Sequence, residues 1–176
     1  MSTDLLVILL LAMGVAWFWV SRRQVVSQAG SSGVRGMHSL PNYYGAFTSL
    51  VALLPAFVLL VVWIGFESSI FRWLASSYFP ADRGADFNEE IALTQIQNVF
   101  SGIRAGEIPA WVESAAAAWT RWDEMSQLLK GAFVLALAGS CWFLAYRKVN
   151  PEFRARNWVE QIVTVILGLC SLVAIF

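Results

Sequence analysis

The sequence predicts an all-α polytopic membrane protein: four transmembrane helices, with an extracytoplasmic amphipathic helical segment between the second and the third. Three observations predict it. Hydrophobic residues make up 58% of the chain and charged residues only 14%, where a soluble domain carries about a quarter charged residues. The apolar residues are gathered into four blocks instead of being spread along a helical or strand period, as in membrane spans and unlike a soluble core. Lysines and arginines separate from acids between alternate loops, which is how an orientation across a membrane is set. Net charge is zero, so the total charge points to no partner, nucleic acid included.

The first block is Leu5 to Val20. At 1.5 Å per residue it covers about 24 Å, short of a ~30 Å hydrocarbon core; Arg22 and Arg23 just beyond it can snorkel to the headgroups. Its pattern is the inverse of a secretory signal, so it is expected to stay as an anchor. Asp4 precedes it without a basic residue, the arginine pair follows it, and no small-x-small cleavage site comes after. The second block, Ala46 to Phe66, is long enough to cross, and Pro55 within it predicts a kink that a spanning helix tolerates. The third is Gly131 to Tyr146, extended to residues 128–146 if Leu128 and Leu129 count and Lys130 snorkels. The fourth runs from about Val159 to Phe176. Its stretch Ile162 to Phe176 has no closing polar flank, so the chain is expected to be the N-terminal part of a longer membrane protein. Trp17, Trp19, Tyr43, Tyr44, Trp63, Phe66, Tyr146 and Trp158 fall at block ends, where amphipathic rings prefer the headgroup layer.

Charge orients these spans. The loop Ser21 to Tyr44 carries Arg22, Arg23 and Arg35 and no acid. The loop Arg147 to Trp158 carries Arg147, Lys148, Arg154 and Arg156 against Glu152. The intervening Glu67 to Gln127 holds nine acids against four arginines. The two basic loops are therefore expected in the cytoplasm, and the N-terminus and residues 67–127 outside it. The basic loop 147–156 serves topology and headgroup contact, or docks a cytoplasmic subunit.

Residues 67–127 are more than a linker. Asp86-x-x-Glu89 resembles a capping box, with Glu89 and Glu90 where the helix dipole favours acids. Ile96, Val99, Phe100 and Ile103 then follow at helical spacing, predicting an amphipathic helix from about Phe87 to Gly102, ended by Gly102 or Gly106. Pro109 suits the first turn of another helix. Trp111, Ala115, Ala118, Trp122, Met125 and Leu129 form its stripe, so this helix is expected to run directly into the third span. The segment either packs on its own membrane helices or offers a partner a docking surface.

Residues that could carry chemistry are few, and none is picked out as catalytic, cofactor-binding or metal-ligating. Cys141 and Cys170 fall inside spans without ligand spacing, and His38 is the single histidine, too little for a metal site. Gln28 to Gly33 is rich in glycine and serine but lacks a phosphate loop's Gly-Lys-Ser/Thr ending, so it reads as linker. No ionisable residue occupies the middle of a span, which speaks against a conduction route through this segment. Glu89–Glu90 and Asp123–Glu124 read as solvated or dipole-favoured acids. No nucleophile–base pair is evident, so no enzyme activity is expected.

Two stretches carry a family resemblance: Met37-His38-Ser39-Leu40-Pro41-Asn42-Tyr43-Tyr44-Gly45, and Asn150-Pro151-Glu152-Phe153-Arg154-Ala155-Arg156-Asn157 followed by Val159-Glu160. With the order of spans and loops, they resemble the N-terminal extension of long-form phosphate ABC transporter permease subunits of the PstC type. The resemblance covers essentially the whole chain. It implies a multi-pass protein of the bacterial inner membrane, its N-terminus periplasmic. Its partners would be membrane lipid, a second permease subunit, cytoplasmic ATPase subunits that power transport, and a periplasmic phosphate-binding protein. Residues 1–158 would be the extension and 159–176 the first helix of the permease core. Transport would proceed by alternating access, with the translocation and coupling residues beyond Phe176. The alternative is a stand-alone small membrane protein acting as an assembly or regulatory subunit of a membrane complex.

Overall fold

The computed structural model describes residues 2–30, 37–80, 87–103 and 106–175. Arg35, the linker residues Ser31 to Gly33, Asp82, Arg83, Asp86, Arg104 and Phe176 lie outside the described residues. The described chain is helical throughout, in the order α1 (Thr3–Gln28), α2 (Pro41–Ser76), α3 (Glu89–Phe100), α4 (Ala110–Lys148) and α5 (Ala155–Ile175). All but α3 are long and apolar enough to cross a membrane, so the fold class expected from composition is the observed one. The helices overrun the apolar blocks because regular hydrogen bonding continues past the last apolar residue into polar flanks. Pro55 interrupts none of this: α2 continues through it for a total of 36 residues.

The chain divides into two compact units, residues 1–59 with 132–176, and residues 60–131. In the first unit, Ser2 caps α1, its hydroxyl accepting from the Leu5 N–H at 3.4 Å. Pro41 opens α2 at the one helical position where its missing N–H costs nothing. Glycine lets α1 and α2 approach closely, as small residues do between membrane helices. A Cβ on Gly45 would lie 2.6 Å from the Phe18 carbonyl oxygen, and one on Gly14 would lie 2.5 Å from Leu53 Cδ1. Polar side chains stitch the same seam. The Thr48 hydroxyl donates to Ser21 Oγ at 2.8 Å, and that of Ser49 to the Gly14 carbonyl at 2.8 Å. Trp17 and Trp142 stack with centroids 5.6 Å apart.

In the second unit, α3 and parts of α2 and α4 enclose an aromatic-rich core of Phe71, Ala75, Phe79, Ala92, Ile96, Val112, Ala115, Ala116 and Trp119. Two expectations from the sequence change here, the cap of α3 and the buried face of α4. The cap of α3 is Asn88, whose side chain accepts from the N–H groups of Glu90 and Ile91 at 2.9 and 3.3 Å; this puts Glu89 and Glu90 in the first turn. Gly102, at φ +83°, ends α3 as expected, with the Ile103 N–H returning to Asn98 O at 2.8 Å. The α4 stripe is rotated. Trp111, Ala115 and Trp122 pack on the core, but Val112, Ala116 and Trp119 join them, while Met125 and Leu129 are exposed. The predicted continuity does appear: α4 is one helix of 39 residues.

Candidate functional site

The two stretches that carry the family resemblance meet in space. Pro151 follows Asn150 in a tight turn that Phe153 closes, its N–H donating to Asn150 O at 3.0 Å. That turn aims the Pro151 carbonyl at the earlier stretch, where it accepts from the His38 backbone N–H at 3.1 Å and the Tyr44 hydroxyl at 3.0 Å. Two donors satisfy both lone pairs of one carbonyl. Ser39 then performs the task of an N-cap from a distant segment. Its buried hydroxyl oxygen accepts the Arg156 N–H at 3.2 Å, one of the donors the start of α5 would otherwise leave unpaired.

Beneath these bonds lies an apolar base of Val25, Tyr44, Phe47, Ala145, Val149 and Ala155. Phe47 is its hinge pin, with ring centroids 4.9 Å from Phe153 and 6.4 Å from Trp158. A recess of about 270 Å³ opens beside the joint, lined by Met37, His38, Ser39, Leu40, Tyr43 and Arg156. Arg156 Nε reaches Glu160 Oε1 one turn along at 2.6 Å, an exposed pair that contributes little to stability. Arg147, Lys148 and Arg154 are exposed around this joint. The arrangement fixes where α5 starts and how it leaves the turn, and it presents a basic edge.

A second polar site lies in the other unit, and it corrects the expectation that Lys130 snorkels. Lys130 is buried, and its ammonium lies 3.1 Å from Glu67 Oε2, with the two side chains 4% and 16% exposed. Ser126 donates its hydroxyl to Glu67 Oε1 and accepts from Trp63 Nε1 at 2.9 Å. Glu67 is thus held by a cation and a hydroxyl, the condition under which a buried carboxylate is tolerable. A snorkelling lysine needs headgroups; one facing a carboxylate across a helix pair has a nearer partner. The contacts run in antiparallel order along α2 and α4, from Trp63 with Ser126 to Phe71 with Trp119, whose centroids are 5.4 Å apart.

Of the residues weighed for chemistry, Cys141 is half-buried and Cys170 exposed, both as free thiols. His38 contributes its backbone N–H to the joint. Among the described residues no group of three His, Cys, Asp or Glu could hold a metal ion. The Glu67–Lys130 pair was missed by sequence reasoning, though a signal exists. Glu67 immediately follows the second apolar block and Lys130 immediately precedes the third, so antiparallel spans bring them to one level.

The family model described as phosphate ATP-binding cassette transporter matches residues 6–176. No curated protein and no solved structure is significantly similar to the chain.

Proposed function

The chain belongs to the phosphate ATP-binding cassette transporter family, and on that premise we propose that it is the N-terminal membrane part of a permease subunit in an ATP-driven importer of inorganic phosphate. The match over residues 6–176 carries this reading. The joint between residues 37–44 and 150–156 supports it, since a family signature without chemistry is explained if it sets the geometry at which α5 enters. In this reading residues 1–158 form the extension and residues 159–176 the first helix of the permease core. The basic loops lie in the cytoplasm of a bacterium, while the N-terminus and residues 67–127 lie in the periplasm. A second permease subunit, cytoplasmic ATPase subunits and a periplasmic phosphate-binding protein complete the assembly. ATP hydrolysis belongs to those other subunits, and this chain contributes no catalytic residue.

The test is radiolabelled phosphate uptake in cells of the source organism with the gene deleted and then restored. Loss of ATP-dependent, high-affinity uptake on deletion and its return on restoration are expected. Undiminished uptake in the deletion would sink the reading. Uptake that returns when any other membrane anchor replaces the chain would favour an assembly role instead.

A further inference from the structure

The second apolar block ends at Phe66 in sequence, but the apolar surface of α2 runs on. Phe66, Ile70 and Trp73 recur at intervals of four and three, which sets them on one side of the helix, and all three are exposed. Trp63 and Glu67 face α4 from another side. On α4, Met125, Leu128 and Leu129 are exposed in the same turns that carry Ser126 and Lys130. Bulky, exposed apolar side chains on both helices thus flank the buried Glu67–Lys130 pair. The length of α2 agrees. From Tyr44 to Trp73 it rises about 43 Å, against about 40–45 Å for a bilayer with its headgroup layers. A ~30 Å hydrocarbon core centred on that length has its outer edge at about residue 68, just past Glu67. Lys130 lies one turn further along α4 than Ser126, the partner of Trp63, and so deeper still.

A lysine beside water keeps its ammonium hydrated, whereas one in hydrocarbon needs a buried counter-charge. Lys130 has one in Glu67. The side chains also choose between lipid and a further helix as the neighbour. Where α1 and α2 pack together, the contacts are made by Gly14, Gly45, Ser21, Thr48 and Ser49, small residues of the kind that join membrane helices. The side of α2 that carries Phe66, Ile70 and Trp73 has only large ones. The exposed small residues of this stretch, Gly65, Ser68 and Ser69, are centred about a third of a turn away, and that side suits a further helix. We propose that the outer leaflet reaches Trp73, with phospholipid acyl chains against Phe66, Ile70, Met125, Leu128 and Leu129 and the Trp73 indole among the headgroups. Glu67–Lys130 is then an ion pair inside the membrane. The boundary that charge places at Glu67 moves outward by about two turns, and the first residues of the acid-rich segment belong to the span. This holds whatever solute the transporter carries.

Spin labels on Ile70→Cys, Leu128→Cys and Ser77→Cys test this, one at a time, in the full-length protein with its other cysteines replaced. The protein is reconstituted into vesicles of phosphatidylethanolamine and phosphatidylglycerol. Collision with oxygen, which dissolves among acyl chains, and with a water-soluble nickel chelate reports what surrounds each label. All three positions are exposed, so a label there leaves the core intact. Labels at residues 70 and 128 are expected to meet oxygen and to be shielded from nickel. The order is expected to reverse at residue 77, about 10 Å further along α2 than Ile70. Nickel reaching residues 70 and 128 would put water beside the ion pair and overturn the proposal. Exclusion of both reagents there would show that protein covers this surface, whether a later helix of the chain or another subunit, and would overturn it too. Shielding from nickel at residue 77 would overturn the boundary at Trp73.

Discussion

Gly45 is a residue for which only a hydrogen atom fits. A Cβ there would press at 2.6 Å on the Phe18 carbonyl oxygen, which belongs to backbone, and at 2.7 Å on the Phe18 ring. At Gly14 the obstacle is Leu53 Cδ1 at 2.5 Å, the far end of a side chain that can rotate. Gly45→Ala is therefore expected to destabilise by about 2 kcal/mol and Gly14→Ala by less, since overpacking is relieved where the neighbour can yield. Reversible unfolding in mixed micelles would rank them; an equal cost would mean that α1 and α2 separate freely. Tyr44→Phe removes one of two donors on the Pro151 carbonyl while the His38 N–H remains. Its expected cost is about 1 kcal/mol, that of one ordinary hydrogen bond. A cost several times larger would show that the hydroxyl organises the whole turn.

Among the elements, α2 and α4 depend on a charge pair that composition does not announce. Glu67 and Lys130 are both largely buried and share Ser126. Removing one partner strands the other charge, so Lys130→Ala or Glu67→Ala is expected to cost about 3 kcal/mol. The double variant Glu67→Leu with Lys130→Met should recover much of that loss, because an apolar pair needs no compensation. Unfolding measurements on the two single variants and the double variant decide this. Additive losses would mean that the pair is not coupled. The α5 element differs in kind. Its seam of Ala155, Val159 and Ile162 holds its first half, and most of its remaining surface is exposed, so its later half takes its stability from its surroundings.

The whole molecule is a membrane protein of the phosphate ATP-binding cassette transporter family, and the places of its cations predict its orientation. In sequence Arg22, Arg23 and Arg35 form one basic stretch and Arg147, Lys148, Arg154 and Arg156 another, against the acid-rich 67–127. With Cys141 and Cys170 replaced, single cysteines at Ser32 and Asn88 should react with an impermeant maleimide from opposite sides of the membrane. Asn88 is expected to be the one reached from outside intact cells. Labelling of both from the same side would refute this orientation. Near the cytoplasm-facing ends expected for α1 and α4, Arg22 lies over the Trp19 ring at 5.1 Å and Arg147 over the Phe143 ring at 5.8 Å, the combination favoured at a headgroup layer.

What was legible in the chain was whatever depends on near neighbours. Runs of apolar residues mark the spans, i, i+3, i+4 spacing marks α3, and Gly102 marks its end, because each is settled within a few residues by backbone hydrogen bonding and solvent. The family stretches could be recognised but not explained in one dimension. In the fold they meet, the Ser39 hydroxyl accepting the Arg156 N–H across 117 positions and the Tyr44 hydroxyl donating to Pro151 O across 107. Lys130 shows the same limit. Its position at the edge of an apolar block allowed either a snorkelling or an inward lysine, and Glu67, 63 residues away, decided between them. The α4 stripe shifted for a related reason: which side of a helix is buried depends on the helices beside it, here α2 bringing Phe71 to Trp119. Helix formation is local, whereas the choice of partner for a polar group or an apolar face is made only when distant segments compete for it.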